Sequence, residues 1–188
     1  MQDFISTIPN YIRSLTMEHG NQVTPRLWIG NRIAARDPSW LSHRGITHII
    51  NCTSEIPNYF QNVEQNQNSQ HSSSSPSPRL HYLKLGLQDS TDISDDLLAV
   101  LETSYGYMKS VLDMSPHTKI LVHCAAGISR SASIVIYYLM RENGMEIGSF
   151  DRALAHLKSR RDIVRPNTWY TQQLRDAERL ANAKLNVK

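Results

Sequence analysis

The chain has 188 residues, 20 Lys+Arg against 17 Asp+Glu and a formal net charge of +3, the size and balance of one globular domain. A chain of this length buries roughly 70% of the surface it exposes when unfolded, so it needs neither a disulfide framework nor a structural metal to fold. Its two cysteines allow at most one bridge and fit a reducing compartment, and the small charge, with no Lys/Arg block, gives no reason to expect a nucleic-acid partner.

The N-terminus begins Met1-Gln2-Asp3, without the basic and apolar regions of a secretory signal, and the longest apolar run, 134–140, is far short of the roughly 20 residues that span a bilayer. A cytoplasmic or nuclear protein without a membrane partner is expected. Residues 1–22 form an N-terminal segment in which Phe4, Ile5, Ile8, Tyr11, Ile12 and Leu15 outline an amphipathic helix that Pro9 interrupts. The domain proper is expected over 23–185. Residues 26–30 and 46–51 read as strands, the second rich in β-branched side chains. Asn51-Cys52-Thr53 has the form of a glycosylation acceptor, and without a secretory signal it reads as chance. Between 61 and 79 Gln, Asn, Ser and Pro dominate, which predicts a solvated, flexible insertion within the domain.

Residues 80–87 alternate, with Leu83, Leu85 and Leu87 on one face and Tyr82, Lys84 and Gly86 on the other, the period of a strand. Ser94 is placed to cap a helix with Asp95 and Asp96 in its first turn and a buried stripe of Leu97, Leu101, Met108 and Leu112. Residues 119–123 form another apolar strand. A helix over 131–143 is apolar nearly all round, hence central, and Gly144 is placed to end it. Ser149 opens a helix carrying Phe150, Ala153, Leu154 and Leu157, and Pro166-Asn167 starts the last, with Tyr170, Leu174 and Ala177. Strands interleaved with helices predict an α/β fold, a central mostly parallel sheet flanked by helices.

The segment that carries chemistry is His123-Cys124-Ala125-Ala126-Gly127-Ile128-Ser129-Arg130-Ser131, between a predicted strand and a predicted helix. Strand ends of α/β sheets bind ligands, and a helix N-terminus offers free N–H groups and positive dipole to an anion. A thiol there is favoured as thiolate, so Cys124 is expected to be a nucleophile. Gly127 frees the backbone to turn successive N–H groups toward one point, and Arg130 supplies a planar fork for two oxygens of a tetrahedral phosphate. Ser131 is placed to donate to the sulfur as it leaves, His123 to orient the loop from behind, and the small Ala125 and Ala126 to keep its walls low. Phosphate binding is thus expected along 124–130. The implied substrate is a phosphate ester, attacked by sulfur to give a phosphocysteine that water hydrolyses; no metal or cofactor is called for.

His-Cys, five residues, then Arg and Ser resembles the signature of the cysteine-dependent protein phosphatases. Residues 123–133, continuing into Tyr138-Leu139-Met140, resemble the dual-specificity phosphatase family, its MAP-kinase-phosphatase-like group. Leu27-Trp28-Ile29-Gly30, residues 45–51 and Pro57-Asn58-Tyr59-Phe60 are similar to the family's N-terminal half, and Arg161, Pro166-Asn167 and Gln173-Leu174 to its C-terminal motif. The resemblance implies a general acid in a loop after a strand preceding the cysteine, a position that Asp89 matches, with Asp92 as competitor. It also implies a phosphoprotein substrate, a MAP kinase being one, and a shallow pocket that takes phosphotyrosine and phosphoserine or phosphothreonine. Ala125, Ala126, Ile128 and Ser129 stand where phosphoinositide phosphatases of the superfamily carry lysines. The rivals are a strict phosphotyrosine phosphatase and a pseudophosphatase that binds phosphate without turning it over. Arg161 and Arg165 are candidates for a second anion site, against ordinary surface charge. Cys52 is expected to be a core residue, the alternative being a redox partner for Cys124.

Overall fold

The computed structural model describes residues 19–61, 80–89, 97–142 and 148–185. The predicted N-terminal helix, nearly all of the insertion, Asp92, the Ser94 cap with its aspartates, and Gly144 lie outside these residues. Five strands, β1 (Gly20–Thr24), β2 (Leu27–Gly30), β3 (His48–Thr53), β4 (His81–Leu87) and β5 (Ile120–His123), form one sheet in the order β1-β2-β5-β3-β4. β2, β5, β3 and β4 run parallel, and only β1 is antiparallel, to β2. β1 belongs to the sheet from Gly20, so the expected boundary between residues 22 and 23 cuts through a strand.

Six helices complete the described residues: α1 (Arg32–Arg36), α2 (Pro38–Arg44), α3 (Leu97–Met114), α4 (Arg130–Arg141), α5 (Phe150–Arg160) and α6 (Thr168–Leu185). Both faces of the sheet are covered, as parallel strands require. Along β5, Ile120 and Val122 face the larger core made with α3, α4, α5 and α6, while Leu121 faces the smaller one beneath α1 and α2. β3 repeats the alternation, Ile50 to the large side and Ile49 to the small. α4 is the central helix that its composition predicts: Arg130 to Leu139 are all buried. Each fully buried Ile or Leu there contributes about 1.5–3 kcal/mol.

The two short helices start and stop for local reasons. Asn31 Oδ1 accepts from Ile33 and Ala34 N–H, opening α1. Asp37 Oδ1 accepts from Trp40 N–H at 3.0 Å with Pro38 in the first turn, and Gly45, in the left-handed region at φ 65°, closes α2. Asn51 is fully buried and its Nδ2 donates to the Ile56 carbonyl and to Asn58 Oδ1, so the glycosylation-like triplet is the buried end of β3. No helix among the described residues is long and apolar enough to cross a membrane.

Candidate active site

Parallel strands place their C-terminal ends on one edge of the sheet, and every candidate catalytic group leaves from that edge. β5, flanked by β2 and β3, leads through His123 into the 124–129 loop and on to α4. β3 leads to Glu55, and β4, beyond it, to Asp89. Three chain segments far apart in sequence thus converge on Arg130.

The loop is held from outside by its carbonyls. Arg32 N–H donates to Ala125 O at 3.2 Å, Arg161 Nη2 to Ala126 O at 3.2 Å, Arg161 Nε to Gly127 O at 2.9 Å and Arg165 N–H to Ile128 O at 2.8 Å. Ser133 N–H takes Ser129 O at 2.9 Å. A trans peptide points its N–H opposite its C=O, so carbonyls tied outward turn the intervening N–H groups inward. Gly127 N–H does reach Cys124 Sγ at 3.2 Å. Gly127 has φ 71°, and a Cβ there would stand 2.7 Å from the Gly30 carbonyl oxygen, so glycine is required both by its conformation and by the closeness of β2. At the head of α4 no side chain caps the helix, unlike α1, α2 and α5, which leaves its first amides free for an anion.

Cys124 and Arg130 lie at the floor, each 3% exposed, and Ser131 Oγ is 3.2 Å from the sulfur. Arg130 Nη1 donates to Glu55 Oε1 at 2.7 Å and to the Leu87 carbonyl at 3.3 Å, while Nη2 is 3.5 Å from Asp89 Oδ2. Its Nε is buried and has no hydrogen-bond partner among the described residues. One edge of the guanidinium is therefore fixed by protein, and the Nε–Nη2 edge is the fork for two oxygens of an oxyanion. Burial opposes the charge of Arg130, but Cys124, Glu55 and Asp89 outweigh it and hold its pKa above the ordinary arginine value.

His123 is 1% exposed, and its pKa falls to about 4: burial is the main cause, the Cys124 backbone pulls it back up, and the Arg130 charge adds to the fall. It is therefore a neutral ring at the C-terminal end of β5. Asp89 is brought to the mouth, with its side chain 58% exposed. Cys52 is fully buried, and burial, aided by Cys124, pushes its thiol well above the usual range, so it stays protonated in the core.

Arg161 corrects the sequence reading. It is 3% exposed, and its remaining terminal nitrogen donates to Asn21 Oδ1 at 2.7 Å, so its guanidinium braces the loop from behind and is not available to a second phosphate. The physical reason is its place just past α5, where the chain turns under the loop carbonyls. Of the pair only Arg165 keeps an exposed side chain.

Glu55 is the residue that sequence reasoning missed. The available signal was a carboxylate just past the C-terminal end of β3, on the edge of the sheet where ligands bind. Burial alone would raise its pKa, but its own backbone N–H, the Arg130 hydrogen bond and charge, and the Ser54 hydroxyl together hold it below the ordinary value. The carboxylate therefore stays ionised on Arg130 through the neutral range. Half exposure discounts the pair to about 1 kcal/mol, so Glu55→Ala is expected to lower kcat/KM for a phosphomonoester about five-fold, mainly through KM. Unchanged steady-state kinetics would show that the Leu87 carbonyl and Asp89 orient the guanidinium without Glu55.

A family model described as "Dual specificity phosphatase, catalytic domain" matches residues 27–180. The chain belongs to the dual-specificity phosphatase family. It is 35% identical over 164 residues to the Arabidopsis thaliana protein-tyrosine-phosphatase MKP1, covering 87% of this chain but 18% of that protein. It is 34% identical over 167 residues to human dual specificity protein phosphatase 14, covering 89% of this chain and 73% of the relative. Among solved structures, human DUSP28 superposes with a TM-score of 0.71 at 26% identity, over 88% of this chain and 97% of that one. The cysteine-phosphatase fold expected from the sequence is thus the observed one.

Proposed function

We propose that this domain hydrolyses phosphotyrosine and phosphoserine or phosphothreonine in proteins through a phosphocysteine intermediate. The observation that carries the reading is the buried Nε of Arg130, without a hydrogen-bond partner among the described residues, at the same floor as a sulfur that already accepts a loop amide. The dianion sits on the Nε–Nη2 fork and the uncapped amides of α4. Cys124 sulfur attacks phosphorus, the S–P bond forms as the ester O–P bond breaks, and Asp89 passes its proton to the departing oxygen. Water then attacks phosphorus with Asp89 as base, and Ser131 donates to the sulfur as inorganic phosphate leaves. Cys52 is assigned to packing.

The carboxylates at Glu55 and Asp89 are exposed where they meet the buried Arg130, an open mouth that supports acceptance of short and long phosphorylated side chains alike. Paired phosphotyrosine and phosphothreonine peptides of one sequence, assayed for phosphate release, test this. Release from both is expected. Release from phosphotyrosine alone would make the enzyme a strict tyrosine phosphatase, and binding without release a phosphate-reading module. The likeness to the MAP-kinase-phosphatase-like group makes a doubly phosphorylated MAP kinase the protein substrate to test first, with the exposed Arg165 as the candidate to meet its second phosphate.

A further inference from the structure

We propose that Tyr170 is a positioning residue for the general acid: its hydroxyl, by holding the Gln88 carbonyl, fixes Asp89 over the phosphate loop. The proposal rests on the reading of Asp89 as that acid. Tyr170 is fully buried in the large core and its hydroxyl donates to Gln88 O at 2.7 Å. β4 ends at Leu87, whose partner Thr53 is the last of the β3–β4 ladder, so Gln88 and Asp89 lie beyond the sheet. The tyrosine supplies a donor that the sheet no longer does.

The frame to which the hydroxyl ties Asp89 is the one that holds Cys124. Tyr170 N–H is fixed by Asn167 Oδ1 at 2.9 Å, Asn167 N–H donates to Ser129 Oγ at 3.1 Å, and Arg165 N–H and Arg161 Nε hold Ile128 and Gly127. One segment, 161–170, therefore sets the position of both catalytic loops. Among the described residues Asp89 itself is otherwise tied by its ion pair with Arg130, which the reaction must give up: a phosphate takes the fork, and a protonated aspartic acid is no longer an anion for the guanidinium. The Tyr170 contact survives both changes. Burial raises the pKa of Tyr170 far above that of an ordinary phenol, so the hydroxyl stays a donor throughout the working range.

A buried phenol satisfied by a carbonyl is also what mere packing would give, so the test must read proton donation rather than stability. Phenolate is a poor leaving group that needs the acid, whereas p-nitrophenolate leaves with little help. With the full chain, kcat/KM is measured for phenyl phosphate and p-nitrophenyl phosphate in the unaltered protein, Asp89→Asn, Tyr170→Phe and the double variant. Asp89→Asn is expected to lose about a hundred-fold more on phenyl than on p-nitrophenyl phosphate, and Tyr170→Phe about five- to ten-fold more, in line with the usual worth of a general acid. The double variant should match Asp89→Asn, because a positioning residue has no effect once its acid is gone. The ratio between two substrates on one preparation does not depend on how much of it is folded. Equal losses on both substrates in Tyr170→Phe, with the Asp89→Asn ratio displaced, would reduce Tyr170 to packing. An undisplaced ratio in Asp89→Asn would remove the acid itself, and the Tyr170 proposal with it.

Discussion

Cys124→Ser is expected to abolish turnover of p-nitrophenyl phosphate and of phosphopeptides, by roughly ten-thousand-fold or more, equivalent to about 5 kcal/mol of barrier. A serine in the same cradle receives the same Gly127 amide, but its hydroxyl remains protonated at neutral pH and cannot form the phosphoenzyme. The groups that bind the dianion, Arg130 and the amides of α4, are untouched, so phosphopeptide affinity should survive. The variant then serves as a trap: rapid mixing with a phosphopeptide should give a stable complex and no phosphate. Turnover at the original rate in Cys124→Ser would sink the phosphocysteine mechanism outright, whatever the integrity of the loop.

The difference between what the sequence showed and what it hid follows from where each signal resides. β3, β5 and α4 were legible because burial on both sides demands apolar runs, and the loop between β5 and α4 because its chemistry needs fixed residue types at fixed spacing. β1 was not: Gly-Asn-Gln-Val-Thr is polar and buries Val23 and Gly20 on an edge, with no period long enough to count. α1 and α2 are set by capping side chains at Asn31 and Asp37, which resemble ordinary turn residues until their amide partners are known. The role of Glu55 was hidden for a related reason, although its place just past a strand was legible. Its role depends on β3 lying between β4 and β5, and strand order is not written in local composition. Arg161 reads from the sequence as a candidate for a second anion site or as surface charge; it departs from both, because two of its partners are backbone carbonyls, which carry no residue signature.

That departure yields the second large effect, now on the framework. Arg161→Met keeps much of the aliphatic stem but removes the donors to Gly127 O, Ala126 O and Asn21 Oδ1. Hydrogen bonds from a charged group to buried acceptors are worth about 1.5–3 kcal/mol each, and water can recover part of that, so a loss of about 3 kcal/mol in unfolding free energy is expected by urea titration. Activity should fall further than stability alone explains. With Ala126 O and Gly127 O released, the peptides that carry the Gly127 and Ile128 N–H groups lose the Arg161 ties that turn those amides inward, and a loss of about a hundred-fold in kcat/KM is expected even where the variant is fully folded. Arg161→Lys, which keeps the charge but gathers its donors on one nitrogen and cannot span acceptors set around a planar guanidinium, should fall between the two. The loss should be the same for singly and doubly phosphorylated peptides, because a brace acts on the loop and not on the substrate. A penalty confined to doubly phosphorylated peptides, with full activity on p-nitrophenyl phosphate, would return Arg161 to the surface anion site that its sequence context suggests.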